Sequence, residues 1–405
     1  MKSFKISAGA KKALLIGSLC SISYLAVYIA RNTLSAVSAQ MTANGDFSIE
    51  IIGILSGIYF AAYAVGQLIN GAIGDKIKAK YMISLGLILA GICNAVFPLV
   101  AGELYAVYAV YGTSGFFLSM IYGPMTKVVA ENTEPVYATR CSIGYTFASF
   151  FGSPLAGVLA SLMPWKSVFI TASVIMLIMG AVVLVSFSAL EKRGHIEFGK
   201  YKAKKGAFSA DGVKTLVKHR IIKFTFVSIL TGVIRTSVVS LLTLYFAEQL
   251  GFAPDGASGV FTIATLAISC TTFIAIFVYE LLNRNMDLTM LLSFILAAVF
   301  FTCVYFISDP VANIIFIVLE IMASNSAATM LWSRYCPSLY ETGMVSTATG
   351  FLDFVSYMSA ALASTVFTGL VKHIGWSNIV LIWIGLMLAG IIVALPYGKF
   401  KKKKI

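Results

Sequence analysis

The chain has 405 residues, 59% of them hydrophobic and only 12% charged, with a formal net charge of +13. A water-soluble globular protein of this size would not tolerate that much apolar surface, so a soluble fold is excluded. The apolar runs are long and continuous, which also excludes a transmembrane β-barrel with its short alternating strands and leaves a helical membrane bundle.

Twelve membrane-spanning helices are predicted, over about 13–41, 49–73, 80–101, 103–128, 137–163, 167–189, 221–249, 257–282, 287–308, 310–333, 342–371 and 376–397. A Lys-rich start followed by an apolar run and Val37-Ser38-Ala39 imitates a secretory signal, but the run is too long for a signal core and its removal would leave an odd span count. The first span carries Arg31. A cation inside an apolar span costs roughly 2.5–3.5 kcal/mol on insertion scales, so such a residue normally faces a polar cavity and serves a function. Tyr24, Tyr28 and Arg31 stand at i, i+4 and i+7, on one helix face. A planar guanidinium fork beside phenolic hydroxyls suits a carboxylate or a tetrahedral oxyanion. The alternatives are snorkelling toward the outer interface or pairing with Glu320 or Asp353.

After the second span comes GAIGDKIKAK, residues 71–80. Glycine there lets helices approach closely, and the carboxylate can hold a neighbouring cation in one of two states. Gly71, Asp75, Lys76 and Lys80 are therefore candidate gating residues. The fourth span ends in Lys127 and the tenth in Arg334, each followed by a loop carboxylate, Glu134 and Glu341. Residues 190–220 form the only long polar stretch and divide the spans six and six, as domains 1–189 and 221–405. This linker is too poor in large apolar groups to bury a core and is expected to be a tether with a surface helix near 211–220. In the seventh span, Arg235 falls on Arg31 when the chain is shifted by 204 residues, the internal symmetry of a transporter built from two repeats. Two cations facing a shared cavity about 10 Å apart would repel by about 1.7 kcal/mol at an effective dielectric of 20, a penalty that an entering anion reverses. Glu320 in the tenth span and Asp353 in the eleventh are intramembrane acids of the kind used in proton relays, with a buried pairing role as the alternative.

Of the 30 Lys and Arg residues, Arg31 and Arg235 lie inside spans, Lys166 and Lys372 fall in loops on one side, and the other 26 lie at or near the opposite side. By the positive-inside rule that basic side is the cytoplasm, holding both termini and the central loop. The basic balance thus reads as membrane topology, with some attraction to anionic lipid heads and no nucleic-acid footprint.

The pattern Gly71, Ile73, Asp75, Lys76 and Lys80 after the second span resembles the signature of the major facilitator superfamily, with Lys78 where that family usually has glycine. The resemblance implies an all-α membrane protein of twelve helices in two six-helix pseudo-symmetric domains, working by alternating access about a central site. Residues 23–41 and 232–252, together with 55–76, 115–127 and 347–360, are similar to the organophosphate:phosphate antiporter branch, the bacterial glycerol-3-phosphate and hexose-phosphate transporter type. In that branch one arginine on the first helix and one on the seventh bind the phosphate moiety, roles the resemblance carries to Arg31 and Arg235, with Tyr24 and Tyr28 lining the cavity. Gln67, Tyr122 and Asp353 complete the expected substrate-binding set. Gln67 stands where some members have a lysine, and the helix-five histidine of the glycerol-3-phosphate type has no counterpart between Thr139 and Pro154. Gly232, where an aromatic is expected, would enlarge that side of the pocket.

The expected protein is a monomeric, multi-pass inner-membrane transporter without cofactor or metal. It would exchange a sugar- or polyol-phosphate for inorganic phosphate. Its rivals are a proton-coupled symporter of a carboxylate or sulfonate sugar and a ligand-binding membrane sensor. No nucleophile and base stand at a recognisable spacing, so an enzyme is not expected.

Overall fold

The computed structural model describes residues 7–74, 77–198, 210–339 and 345–396, which are helical with short connections. The helices are α1 (Ala8–Ala43), α2 (Ile49–Gly74), α3 (Ala79–Val96), α4 (Leu104–Asn132), α5 (Pro135–Leu162), α6 (Trp165–Lys192), α7 (Ala210–Lys218), α8 (Ile221–Gly232), α9 (Val239–Glu248), α10 (Pro254–Ser269), α11 (Thr271–Leu281), α12 (Met286–Phe306), α13 (Pro310–Met330), α14 (Cys336–Ser338) and α15 (Val345–Ala394). A π-helical segment, Val233–Val238, joins α8 to α9, and a second, Leu331–Tyr335, follows α13. Among the described residues ten helical stretches are long and apolar enough to cross a membrane. The last of these runs through two predicted spans, interrupted at Gly375 with φ 74°, and α5 holds the shorter apolar stretch Phe150–Leu162. Every predicted span therefore coincides with helix. The surface helix expected in the linker is α7.

The chain divides into two compact units that depart from the expected boundary at 190–220. Unit 1 comprises 1–206, 236–269 and 360–372, and unit 2 comprises 207–235, 270–359 and 373–405. The reason is hydrogen bonding within unit 1. There Gln40 donates to the carbonyls of Ala160 and Met163 and to Asp255. Ser258 donates to the Ala36 carbonyl at 2.8 Å and Thr243 to the Ser35 carbonyl. Ser269 donates to the Phe150 carbonyl at 2.7 Å, and Thr365 to the Gly53 carbonyl at 3.4 Å. Lipid tails are as apolar as leucine, so helices in a bilayer associate through such polar bonds and close packing. Two segments of the second sequence half, 236–269 and 360–372, thereby join helices of the first.

Within unit 1, α1 and α5 run parallel. Ser7 bonds the Tyr137 hydroxyl at one end, and Gln40 reaches Ala160 and Met163 at the other. The end holding Ser7 and Tyr137 is called the linker side below. Between these ends Gly152 permits the closest approach, since a Cβ there would stand 2.8 Å from the Tyr28 carbonyl carbon and 3.0 Å from its Cα. Asn70 of α2 bonds Ser119 of α4 at 2.7 Å, and Ser84 of α3 bonds the Gly180 carbonyl of α6 at 2.7 Å.

Unit 2 is pinned where its helices begin and end. Asp287, at the start of α12, takes both terminal nitrogens of Arg220 at 2.9 Å and Lys223 Nζ at 3.0 Å. Lys223 also donates to the carbonyls of Ala394 and Leu395. The start of α12 thus has its own charge cluster. Replacing Asp287 by Ala leaves a mostly buried lysine without its carboxylate and is expected to cost about 1–3 kcal/mol of stability, checked by thermal unfolding in detergent.

Candidate functional site

Arg31 is the centre of the site in unit 1. Its guanidinium carbon stands over three rings, 5.1 Å from the centroid of Tyr63, 5.5 Å from Tyr28 and 5.9 Å from Phe60. Such contacts contribute roughly 0.5–2 kcal/mol each, more when desolvated, and offset part of the cost of holding a cation in the span. A guanidinium carries a planar fork of N–H donors suited to oxyanions. The side chain is only half-buried.

The predicted stripe on α1 is present and extends further than expected. Tyr28 and Tyr24 pack edge to face at 5.0 Å, and Tyr24 continues to Tyr122 of α4 at 5.5 Å and Tyr145 of α5 at 6.1 Å. Four helices therefore contribute to one aromatic wall around a single cation. Tyr63, Phe60 and Tyr145 were not singled out in the sequence, although Phe60 and Tyr63 stand at i, i+3 and so share a face of α2. Gln67 lies one turn beyond Tyr63 on α2 and is half-buried.

Arg235, the second predicted cation, is half-buried in unit 2, inside the π-helical segment Val233–Val238. Segments of this kind are rare and occur frequently at functional sites. Gly232, just before it, corrects an expectation: the missing side chain does not enlarge a pocket. A Cβ there would lie 2.5 Å from Ser356 Oγ and 2.6 Å from its carbonyl oxygen, so the space is taken by the close approach of α15. Asp353, half-buried on α15, lies within electrostatic reach of Cys336 in α14. Glu320 stands apart: it has no exposed surface, and the Ser324 side chain lies beside its carboxyl group.

Of the gating residues, Gly71 lies in the last turns of α2, while Asp75 and Lys76 lie outside the described residues, as does Glu341. Lys80 is buried, bonding Glu191 at 2.7 Å and Ser188 at 3.1 Å near the end of α6. Lys78 shares Glu191, and that hydrogen bond holds its ammonium above the ordinary lysine value. The loop after α2 is thus tied to α6 by two lysines on one carboxylate.

The described residues form a multi-pass helical bundle that carries a half-buried cation within an aromatic wall. The model of the Major Facilitator Superfamily matches residues 20–323, and the chain belongs to that superfamily. It is 22% identical over 386 residues to the phosphoglycerate transporter protein of Salmonella typhimurium, covering 88% of this chain and 82% of that protein. It is 23% identical over 255 residues to the glycerol-3-phosphate transporter of Bacillus subtilis, covering 58% of this chain and 57% of that one. Over 96 residues it is 29% identical to the membrane sensor protein UhpC of Escherichia coli, a match spanning only 24% of this chain and 22% of the sensor. Among solved structures, a bacterial homolog of the human lysosomal transporter Spinster superposes with TM-score 0.72 at 12% identity, covering 95% of this chain and 93% of that one. The nucleoside transporter NupG superposes with TM-score 0.74 at 15% identity, covering 94% and 98%. These likenesses show the fold.

Proposed function

We propose that this secondary transporter exchanges a phosphorylated small organic molecule, a sugar- or polyol-phosphate, for inorganic phosphate. The observation that carries the reading is Arg31, a mid-span guanidinium over three rings. The relatives named as phosphoglycerate and glycerol-3-phosphate transporters support it. In this reading Arg31 and Arg235 are the anion-binding cations, and Tyr24, Tyr28, Gln67 and Tyr122 line the path. Anion binding neutralises the two charges and lowers the barrier to rocking of the six-helix halves, while the loop from Gly71 to Lys80 steadies one state. In this reading the carrier is a monomer of the cell membrane with both termini on the cytoplasmic side, an orientation that the one-sided placement of Lys and Arg supports.

The test is counterflow in proteoliposomes loaded with phosphate, with labelled phosphate, glycerol 3-phosphate, 3-phosphoglycerate and glucose 6-phosphate outside. Absence of phosphate exchange sinks the reading, and tight binding without flux would favour a sensor.

Glu320 favours a second reading, proton-coupled symport of an organic anion. A fully buried acid is a site that can take up and release a proton within the membrane, and Asp353 is a second candidate. Replacing Glu320 by Gln, or Asp353 by Asn, then abolishes uphill uptake driven by a pH gradient while sparing counterflow. Unchanged uphill uptake in both variants removes this reading.

A further inference from the structure

Two turns before Arg31, the wall changes from a charged to a neutral surface. Tyr24 is backed by Tyr145 at 6.1 Å and faces Tyr122 at 5.5 Å, and Tyr122 and Tyr145 lie 6.2 Å apart. The rings of Tyr24 and Tyr122 meet that of Tyr145 at 80° and 87°, an edge-to-face arrangement that fixes the cluster. Tyr24 and Tyr145 are buried, whereas Tyr122 is 40% exposed and presents the open ring of the three. Tyr28 joins this cluster to the guanidinium.

Seven residues of α-helix separate Tyr24 from Arg31, a rise of about 10 Å. Helical side chains lean toward the N-terminus, so the long arginine reaches back over part of that distance. What is left accommodates a carbon skeleton of about three to six atoms between an anionic group at Arg31 and the Tyr122 ring. A ring face favours C–H groups and disfavours bare anionic oxygens, because the π cloud is negative. Inorganic phosphate, which has only oxygens to offer, gains nothing from it.

Resting on the organic-phosphate reading above, we propose that Tyr122, backed by Tyr24 and Tyr145, is the specificity surface for the organic part of the transported anion. The substrate lies with its anionic group at Arg31 and its carbon skeleton toward the linker side. The cation holds ester and inorganic phosphate alike, and the rings tell them apart.

The test uses full-length protein in proteoliposomes and measures how unlabelled inorganic phosphate, glycerol 3-phosphate and glucose 6-phosphate inhibit labelled-phosphate exchange. Tyr122→Ala is expected to raise the half-inhibiting concentration of the esters about ten-fold while that of inorganic phosphate stays within about two-fold. Tyr122→Phe, which keeps the ring face, is expected to keep the ratio of ester to inorganic-phosphate inhibition whatever happens to the overall rate. Tyr122→Leu, which keeps volume without a ring, repeats the alanine result if that variant folds poorly. Equal shifts for ester and inorganic phosphate, or no shift for the esters, overturn the proposal. Phosphate exchange that no ester inhibits overturns it while leaving an anion carrier standing, and a lack of all phosphate exchange removes the underlying reading with it.

Discussion

Replacing Arg31 by alanine is expected to reduce phosphate exchange by about 10²–10⁴-fold. Two charge-assisted hydrogen bonds from the guanidinium fork, at about 1.5–3 kcal/mol each, account for that range. Lysine restores charge but not the planar N–H fork of the group that stands among Tyr63, Tyr28 and Phe60, so Arg31→Lys should remain severely impaired. Stability moves the other way or not at all, because removing a cation from a span relieves an insertion cost of roughly 2.5–3.5 kcal/mol. Exchange assays paired with thermal unfolding separate the two effects. Full exchange in Arg31→Ala would show that the cation has no part in binding.

The second large effect is expected from Gly152→Ala, a change that touches no charge. The added methyl would meet the backbone and Cβ of Tyr28, none of which can swing aside as a side-chain tip can. Helices α1 and α5 must part, at a packing cost of about 1–3 kcal/mol. Tyr28 moves with α1 and with it the ring beneath Arg31, and a misplacement of about 1 Å can cost on the order of 10²-fold in rate. Gly123→Ala on α4 is the control, since nothing stands within 4 Å of a Cβ there. A lowered melting temperature with weakened exchange for Gly152→Ala, and neither for Gly123→Ala, is the expected pair of results.

Much of the fold was legible in the sequence because the bilayer imposes a simple rule: a crossing helix needs about twenty apolar residues. Each predicted span coincides with helix, and the charge cost of Arg31 and Arg235 marked both from composition alone. Tyr63, Phe60 and Tyr145 were not legible, since an aromatic on a helix face reads as packing until a partner helix is placed beside it. Gly232 was misread for a related reason. A missing side chain makes room, and only three-dimensional structure says whether a ligand or α15 fills it. The two units were hidden because they depend on single hydroxyls bonding carbonyls some two hundred positions away, such as Thr243 to Ser35 and Ser258 to Ala36.

Those bonds have an energetic consequence. Apart from the exposed Lys372–Glu50 pair, the junction that gathers 236–269 and 360–372 into unit 1 is made largely of weak, neutral links, each contributing about 1 kcal/mol net. A fastening of many small stitches can be undone one at a time, with no step as costly as stripping a buried ion from its partner. Its strength is therefore graded, and trimming a single hydroxyl, as in Thr243→Val, would loosen it by a factor of about five without severing it.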